Sequence, residues 1–263
     1  MDNGNGKKKI PVQRQAEVRG LLSRRGAASI PDIATALGVS PSTVRRDLDE
    51  LAKEGFVRRS HGGAVTVERT TGELLFKDRR RQNRHEKARI GAYAVTLLEQ
   101  EQSVLFDSSS TVLNAAEALQ EMRLTITAVT NDVNIASVLA ETPDVSVIVP
   151  GGEIREGSFT LLGPYTQTFL GSLHVDVALM GIHAIMGANL SESSLAVVEA
   201  KRAMIRAARR VVLLADHSKF CSPAFFEVAR LDDIHDLITD ESTSQNALES
   251  ARASGRLRVH VAR

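Results

Sequence analysis

From Ile90 to the C-terminus, short apolar runs alternate with amphipathic segments, and this rhythm restricts the fold more than any other feature of the chain. The runs are residues 104–107, 126–130, 145–149, 175–181, 211–216 and 237–239, with 258–261 as a candidate edge strand. Helix-like segments lie between them at 111–119, 133–140, 165–170 and 195–208. Continuously apolar strands separated by helices predict a mostly parallel sheet covered on both faces. The polar residues fall where such a sheet binds ligands. Asp107-Ser108-Ser109-Ser110-Thr111, Thr130-Asn131-Asp132, Gly151-Gly152, Asp216-His217-Ser218-Lys219 and Thr239-Asp240 all follow predicted strands. In an open α/β sheet the carboxyl ends of the strands form the binding edge.

That constellation suits a phosphorylated sugar or related metabolite. The Ser/Thr-rich turn opens a helix, whose N-terminal N–H groups attract anions. Arg155 and Lys219 supply positive charge, and Asp107 and Asp216 accept hydrogen bonds from sugar hydroxyls. Taken singly, each piece reads equally well as a helix cap or a turn; their shared location favours a site. The histidines show no metal-ligand spacing, so neither a metal nor a cofactor is expected.

The N-terminal part carries a different signal. Ser40 is placed to cap a helix, Pro41 suits its first position, and Val44, Leu48 and Leu51 form one apolar stripe. Ser42, Arg46, Asp49 and Lys53 fall opposite, with Arg45 on the flank and Thr43 in the first turn. Small hydroxyls and paired arginines at a helix N-terminus suit a DNA major groove, where hydroxyls and N–H groups take phosphates and arginine reads guanine. By itself this is equally an ordinary surface helix with solvated arginines. Its surroundings decide. Residues 11–25 and 30–37 predict two preceding helices, and the short Gly38 turn makes a helix-turn-helix over 28–47. Residues 56–59 and 64–67 predict a hairpin around Ser60-His61-Gly62-Gly63, a basic wing from which Arg58, Arg59 and His61 reach DNA.

Composition adds bounds. The 263 residues are 43% hydrophobic and 25% charged, with net charge only +1. The charge is uneven: residues 1–66 hold twelve Lys/Arg against seven Asp/Glu, a net +5, leaving −4 for the remainder. A basic part joined to a mildly acidic one fits a DNA-facing domain beside a domain with another task. The lone Cys221 excludes a disulfide framework. No apolar run approaches a membrane span. Residues 1–10 read as a polar, disordered tail, and a cytoplasmic location is expected.

Val39-Ser40, Thr43-Val44-Arg45-Arg46-Asp47-Leu48, Leu51, Gly55, Arg59 and His61-Gly62-Gly63-Ala64 together resemble the winged-helix signature of the DeoR family of bacterial sugar-metabolism regulators. The resemblance extends through Phe76, Arg79, Asn83, Glu86 and Lys87. It continues over the Asp107 loop, Thr130-Asn131, Gly151-Gly152, Arg155, Gly163, Asp176, Gly181, Glu199, Lys201, Asp216, Ser218-Lys219 and Thr239-Asp240. It implies a winged helix-turn-helix at 11–67, a connector at 68–89, and an effector-sensing α/β domain at 90–263 similar in fold to ribose-5-phosphate isomerase. It also implies a repressor of a carbohydrate operon that binds duplex operator DNA as a dimer or tetramer, responds to a phosphorylated metabolite and is not an enzyme. The effector residues implied are Asp107, Ser109, Ser110, Thr111, Thr130, Asn131, Gly151, Gly152, Arg155, Glu199, Asp216 and Lys219. Glu199 and Lys201 stand two apart on one helix and cannot share a face; Glu199 is expected at the site and Lys201 elsewhere. Arg79-Arg80-Arg81 is expected as a solvated helix face. This chain departs from the family where Ser109 and Ser110 occupy a loop that usually contains glycine. The alternative is a sugar-phosphate isomerase-like enzyme carrying a nucleic-acid-binding module.

Overall fold

The computed structural model describes residues 11–25, 27–53, 57–60, 62–66 and 76–263. The expected tail at 1–10 and His61 lie outside the described residues. The chain forms two compact units, Met1–Arg69 and Thr70–Arg263.

The first unit contains α1 (Pro11–Arg25), β1 (Ala27–Ser29), α2 (Ile30–Leu37), α3 (Pro41–Lys53), β2 (Val57–Ser60) and β3 (Gly63–Thr66). Ser29 caps α2 by accepting from the Asp32 N–H at 3.2 Å. Gly38 ends that helix at φ +66°, a left-handed conformation that glycine adopts without strain. Val18 and Leu22 of α1, Ile33 and Leu37 of α2, and Val44, Leu48 and Leu51 of α3 meet in one core closed by Val57 and Ala64 of the wing. β1 is an element the sequence does not announce. Its three residues pair with β3, making a small antiparallel sheet ordered β1-β3-β2. Gly63 is required there, because a Cβ would lie 2.4 Å from the Ala28 carbonyl oxygen. This unit is a winged helix-turn-helix.

The second unit runs α4 (Phe76–Arg81), α5 (Arg84–Val95), β4 (Ser103–Phe106), α6 (Ser110–Leu119), β5 (Ile126–Thr130), α7 (Val133–Ala140), β6 (Val145–Ile148), β7 (Glu153–Ile154), β8 (Leu161–Leu162), α8 (Pro164–Gly171), β9 (Val175–Met180), β10 (Ala184–Met186), β11 (Asn189–Glu192), α9 (Leu195–Ala207), β12 (Ala208–Leu214), β13 (Phe226–Arg230), β14 (Asp236–Asp240), α10 (Gln245–Arg252) and β15 (Arg258–Ala262). Seven strands form one sheet, ordered β15-β14-β12-β9-β4-β5-β6. Every pairing in it is parallel.

Successive strand residues face opposite sides, so each strand feeds two cores. Val104, Phe106, Val177, Leu179 and Val212 pack with Ile90, Leu113 and Ile135 of α5, α6 and α7. Leu105, Ala178, Met180, Val211 and Leu213 pack with Leu170, Val198 and Met204 of α8 and α9. This is the predicted sheet with both faces covered. Two small sheets escape the sequence reading: the β7-β8 hairpin and the antiparallel β10-β11-β13 set. The expected connector also differs from what is seen. From Phe76 onward it is helical and belongs to the second unit, with Phe76 and Lys87 buried. Among the described residues, no helix is long and apolar enough to cross a membrane.

Candidate functional site

On α3 the sequence produces an apolar inner face and a polar outer one. Val44, Leu48 and Leu51 are buried, whereas Ser42, Arg45 and Arg46 are exposed. The Ser40 hydroxyl accepts from the Thr43 N–H at 3.2 Å and lies 2.9 Å from the Ser42 hydroxyl. The buried polar residue of this helix is Asp47, which takes a two-pronged pairing from Arg14 of α1. That contact raises the Arg14 pKa and anchors the recognition helix to the first helix. Arg59, expected to reach DNA, is exposed and also engaged within the unit. Its guanidinium donates to the Arg45 carbonyl at 3.1 Å and pairs with Asp49 at 3.0 Å, so it braces the wing against α3. The Arg58 side chain lies outside the described part.

At the carboxyl rim of the sheet the loops converge as expected, with partners that change several roles. Asp107 does not wait for a sugar hydroxyl: its Oδ2 accepts from the Gly181 N–H at 3.0 Å and from the Lys201 ammonium. Lys201 donates to the Gly181 carbonyl at 2.8 Å and faces Glu192 at 3.6 Å. Burial alone would lower the Lys201 pKa; Asp107 and Glu192 outweigh it and hold the ammonium above its ordinary value. Glu199, by contrast, is exposed and bonded to Gln167 of α8, away from this cluster. The expectation is therefore reversed for this pair. Lys201 follows Val198 by three residues and precedes Met204 by three, so it shares their buried face of α9.

Ser108 bridges Asp132 and Thr160, each at 2.6 Å. Asp132 caps α7 through the Asn134 and Ile135 N–H groups. Burial raises its pKa against those bonds. Thr130 accepts from the Asp132 N–H at 3.1 Å. Ser109, standing where glycine is usual, has extended backbone (φ −150°) and caps α6 by accepting from the Thr111 N–H at 3.2 Å. Its side chain fits because residue 181 is glycine: a Cβ there would sit 2.2 Å from the Ser109 hydroxyl. Ser110 is buried in the first turn of α6. Gly151 and Gly152 shape a turn against α8: Thr166 donates to the Gly151 carbonyl at 2.7 Å, and a Cβ on Gly152 would meet Thr166 at 2.3 Å.

Between these loops lies a cleft with Arg79, Asp107, Ser108, Asn131, Arg155, Thr160 and Glu192 on its polar walls and Leu162, Val197 and Ala200 as apolar lining. Asn131 donates its amide to the Leu161 carbonyl at 3.2 Å, and its buried Oδ1 has no hydrogen-bond partner among the described residues. Arg79 is the unexpected member. It follows the buried Phe76 by three residues, so both face inward, and its guanidinium lies 6.0 Å from the Phe76 ring centroid. Its charge is felt at both Lys87 and Lys201.

Asp216 and Lys219, expected in the same pocket, belong to a neighbouring cluster outside the cleft lining. Asp216 accepts from Asn83 at 2.7 Å and from the Ser218 N–H at 3.0 Å, while its buried Oδ2 faces the Lys87 ammonium at 4.0 Å. Burial opposes ionisation of Asp216, but Lys219 and Lys87 overcome it and lower its pKa. Lys87 donates to the carbonyls of Arg79 and Gln82, and burial pushes its pKa down to about 8. Among the described residues, no group of His, Cys, Asp and Glu is arranged to hold a metal.

Known proteins match both units. The DeoR-like helix-turn-helix domain matches residues 14–70, and the DeoR C terminal sensor domain matches residues 82–241. The HTH-type transcriptional regulator GolR of Listeria innocua is 30% identical over 94% of this chain and 97% of its own length. The glycerol-3-phosphate regulon repressor of Escherichia coli is 30% identical over 87% of this chain and 90% of its own. Among solved structures, ribose 5 phosphate isomerase A from Neisseria gonorrhoeae aligns with TM-score 0.39 and 18% identity, over 52% of this chain and 53% of the isomerase. With the winged-helix unit and the sensor unit both matched, and with relatives aligned nearly end to end that are named regulators and not enzymes, the chain belongs to the DeoR family of transcriptional regulators.

Proposed function

We propose that this regulator represses a carbohydrate-metabolism operon and is controlled by a phosphorylated sugar or polyol bound at the carboxyl rim of the sensor sheet. The observation carrying this reading is the cleft itself: two arginines, an unpartnered buried Asn131 oxygen and several hydroxyls converge at the edge where α/β sheets bind ligands. Cations suit a phosphate, and an acceptor without a donor suits a hydroxyl. The Escherichia coli relative is named for a glycerol-3-phosphate regulon, in line with such a ligand. The exposed Ser42, Arg45 and Arg46 then read duplex operator DNA, working in a symmetric homo-oligomer, dimer or tetramer, whose paired half-sites raise affinity. The setting is the cytoplasm, where DNA and phosphorylated metabolites meet. No observation favours the isomerase alternative; Asp107 and Lys201 are locked onto one another.

The test is fluorescence anisotropy with duplex DNA from the neighbouring promoter. Tight, salt-sensitive binding is expected, relieved by a phosphorylated sugar and unaffected by its unphosphorylated form. Arg46→Ala is expected to weaken specific binding by about 1–3 kcal/mol. Equal loss on random DNA would assign Arg46 to phosphate contact instead. Binding that no phosphorylated sugar alters would overturn the effector reading.

A further inference from the structure

The Ser/Thr turn before α6 is the obvious place for an anionic ligand, yet its geometry argues otherwise. The Ser109 hydroxyl already accepts the Thr111 N–H, and the Ser109 side chain packs over Gly181. Asp107, at the mouth of the same loop, places a carboxylate on the cleft wall. An anion at that end would find the Thr111 N–H already taken by Ser109 and the nearby cation, Lys201, already committed to Asp107. The same lining also contains Arg79 and Arg155, two cations beside the single further carboxylate Glu192.

These two arginines come from segments that are themselves fastened together. Arg155 begins the turn of the β7-β8 hairpin, where its N–H donates to the Thr160 carbonyl at 2.9 Å. The hairpin turn meets the start of α4: the Phe76 N–H reaches the Gly157 carbonyl at 3.4 Å, and the Phe76 and Phe159 rings stand edge to face, centroids 5.6 Å apart. One turn along α4, Arg79 enters the cleft, its own carbonyl held by Lys87. Asn131 lines the same cleft and brings a buried acceptor that has no hydrogen-bond partner among the described residues.

We propose that Arg79 and Arg155 form the anion clamp of the effector site, with Asn131 Oδ1 accepting from a ligand hydroxyl, and that the N-terminus of α6 does not hold the phosphate. This inference rests on the effector reading above and names the residues that carry it. It makes Arg79 a ligand-binding residue on the first described helix after the DNA-binding unit, so occupancy is sensed by α4 directly. The ligand class is a small polyol or aldose bearing one terminal phosphate.

Isothermal titration calorimetry on the full chain tests it. The probes are inorganic phosphate, glycerol 3-phosphate and terminally phosphorylated pentoses and hexoses, each beside its unphosphorylated parent. For the probe that binds wild type most tightly, Arg79→Gln and Arg155→Gln are each expected to weaken binding about tenfold or more, as loss of a charge-assisted bond requires. Arg79→Lys, which keeps the charge but not the fork, is expected to fall between wild type and Arg79→Gln. Ser109→Ala is expected to stay within about twofold of wild type, a hydroxyl that only caps α6 adding nothing to the phosphate site. Unliganded melting temperatures monitor folding, and a residual preference for the unphosphorylated parent in the glutamine variants would itself mark loss of the anion site. Wild-type affinity in both glutamine variants, or a loss confined to Ser109→Ala, would overturn the clamp while leaving the effector reading intact. Failure of every phosphorylated probe to bind wild type would remove the effector reading and the clamp with it.

Discussion

The two rims of the seven-stranded sheet treat their buried charged groups in opposite ways, and most of those groups among the described residues lie at the carboxyl rim. At the amino rim Asp236 is fully buried, and its oxygens accept from Arg210 at 2.8 Å, Arg258 at 3.0 Å and His260 at 2.8 Å. His260 in turn faces the Tyr93 hydroxyl at 3.0 Å. Nearby, Ser103 donates to Asp176 through its N–H at 2.9 Å and its hydroxyl at 2.7 Å, which lowers the Asp176 pKa. At the carboxyl rim, two buried acceptors have no hydrogen-bond donor among the described residues: Asn131 Oδ1, and Asp216 Oδ2, which faces the Lys87 ammonium only at 4.0 Å. Leaving such a group unsatisfied costs about 1–3 kcal/mol, so its persistence asks for a reason. The amino rim is closed, its charges satisfied internally; the carboxyl rim is open and, on the proposed reading, keeps capacity for a ligand.

The sharpest way to break this comparison is to remove the buried Lys201–Asp107 pair of the open rim. Lys201→Met leaves Asp107 buried without its cation and is expected to cost about 3–5 kcal/mol in urea unfolding. A loss near zero would mean that the Asp107 loop is not held by charge. Next comes a pH window. Lys87 falls from 10.5 to about 8 on folding, so between those values the unfolded chain binds the extra proton and stability rises with pH. Wild type minus Lys87→Met is expected to climb by at most about 3 kcal/mol over that window, and a flat difference would contradict a strained ammonium at the open rim. The closed rim behaves in reverse. Burial disfavours ionised Asp236, but Arg210, His260 and Arg258 overcome it and bring its pKa from 3.8 to about 2. Its contribution, about 2 kcal/mol after allowance for the exposed Arg258, is present above pH 4 and lost as pH falls through 2. Acid titration of wild type against Asp236→Asn measures it. The smallest expected effect is Asn131→Ala, about 1 kcal/mol of stability for the bond to the Leu161 carbonyl. That variant is nonetheless expected to lose its response to a phosphorylated sugar.

Much of this was legible in the sequence, for identifiable reasons. Parallel strands covered on both faces read as unbroken apolar runs, so β4, β5, β9 and β14 are visible within a residue or two, while β12 begins three residues before its expected start. The α3 stripe of Val44, Leu48 and Leu51 is similarly plain. Loops at the carboxyl rim were visible as a set, and Asp107, Asn131 and Arg155 do line one cleft. The roles within the set were not, because partners decide them. Asp107 and Asp216 look alike in sequence, yet one is tied to Lys201 and the other to Asn83 and Ser218. Arg79 was hidden in a run of three arginines; its spacing of three from Phe76 was the available signal. Lys201 was hidden for the same reason, a lysine on the apolar face of α9. β1 and the β10-β11-β13 sheet are short and lack an apolar run, and their pairing is long-range.

The most direct test of the division between rims is hydrogen exchange with and without a bound phosphorylated sugar. Ligand held at the open rim predicts slower exchange in α4, the 107–111 loop, residues 130–132 and the 155–162 hairpin, with no change near Ser103, Asp176, Asp236 and Arg258. Protection concentrated at the amino rim, or spread evenly over the sheet, would contradict it.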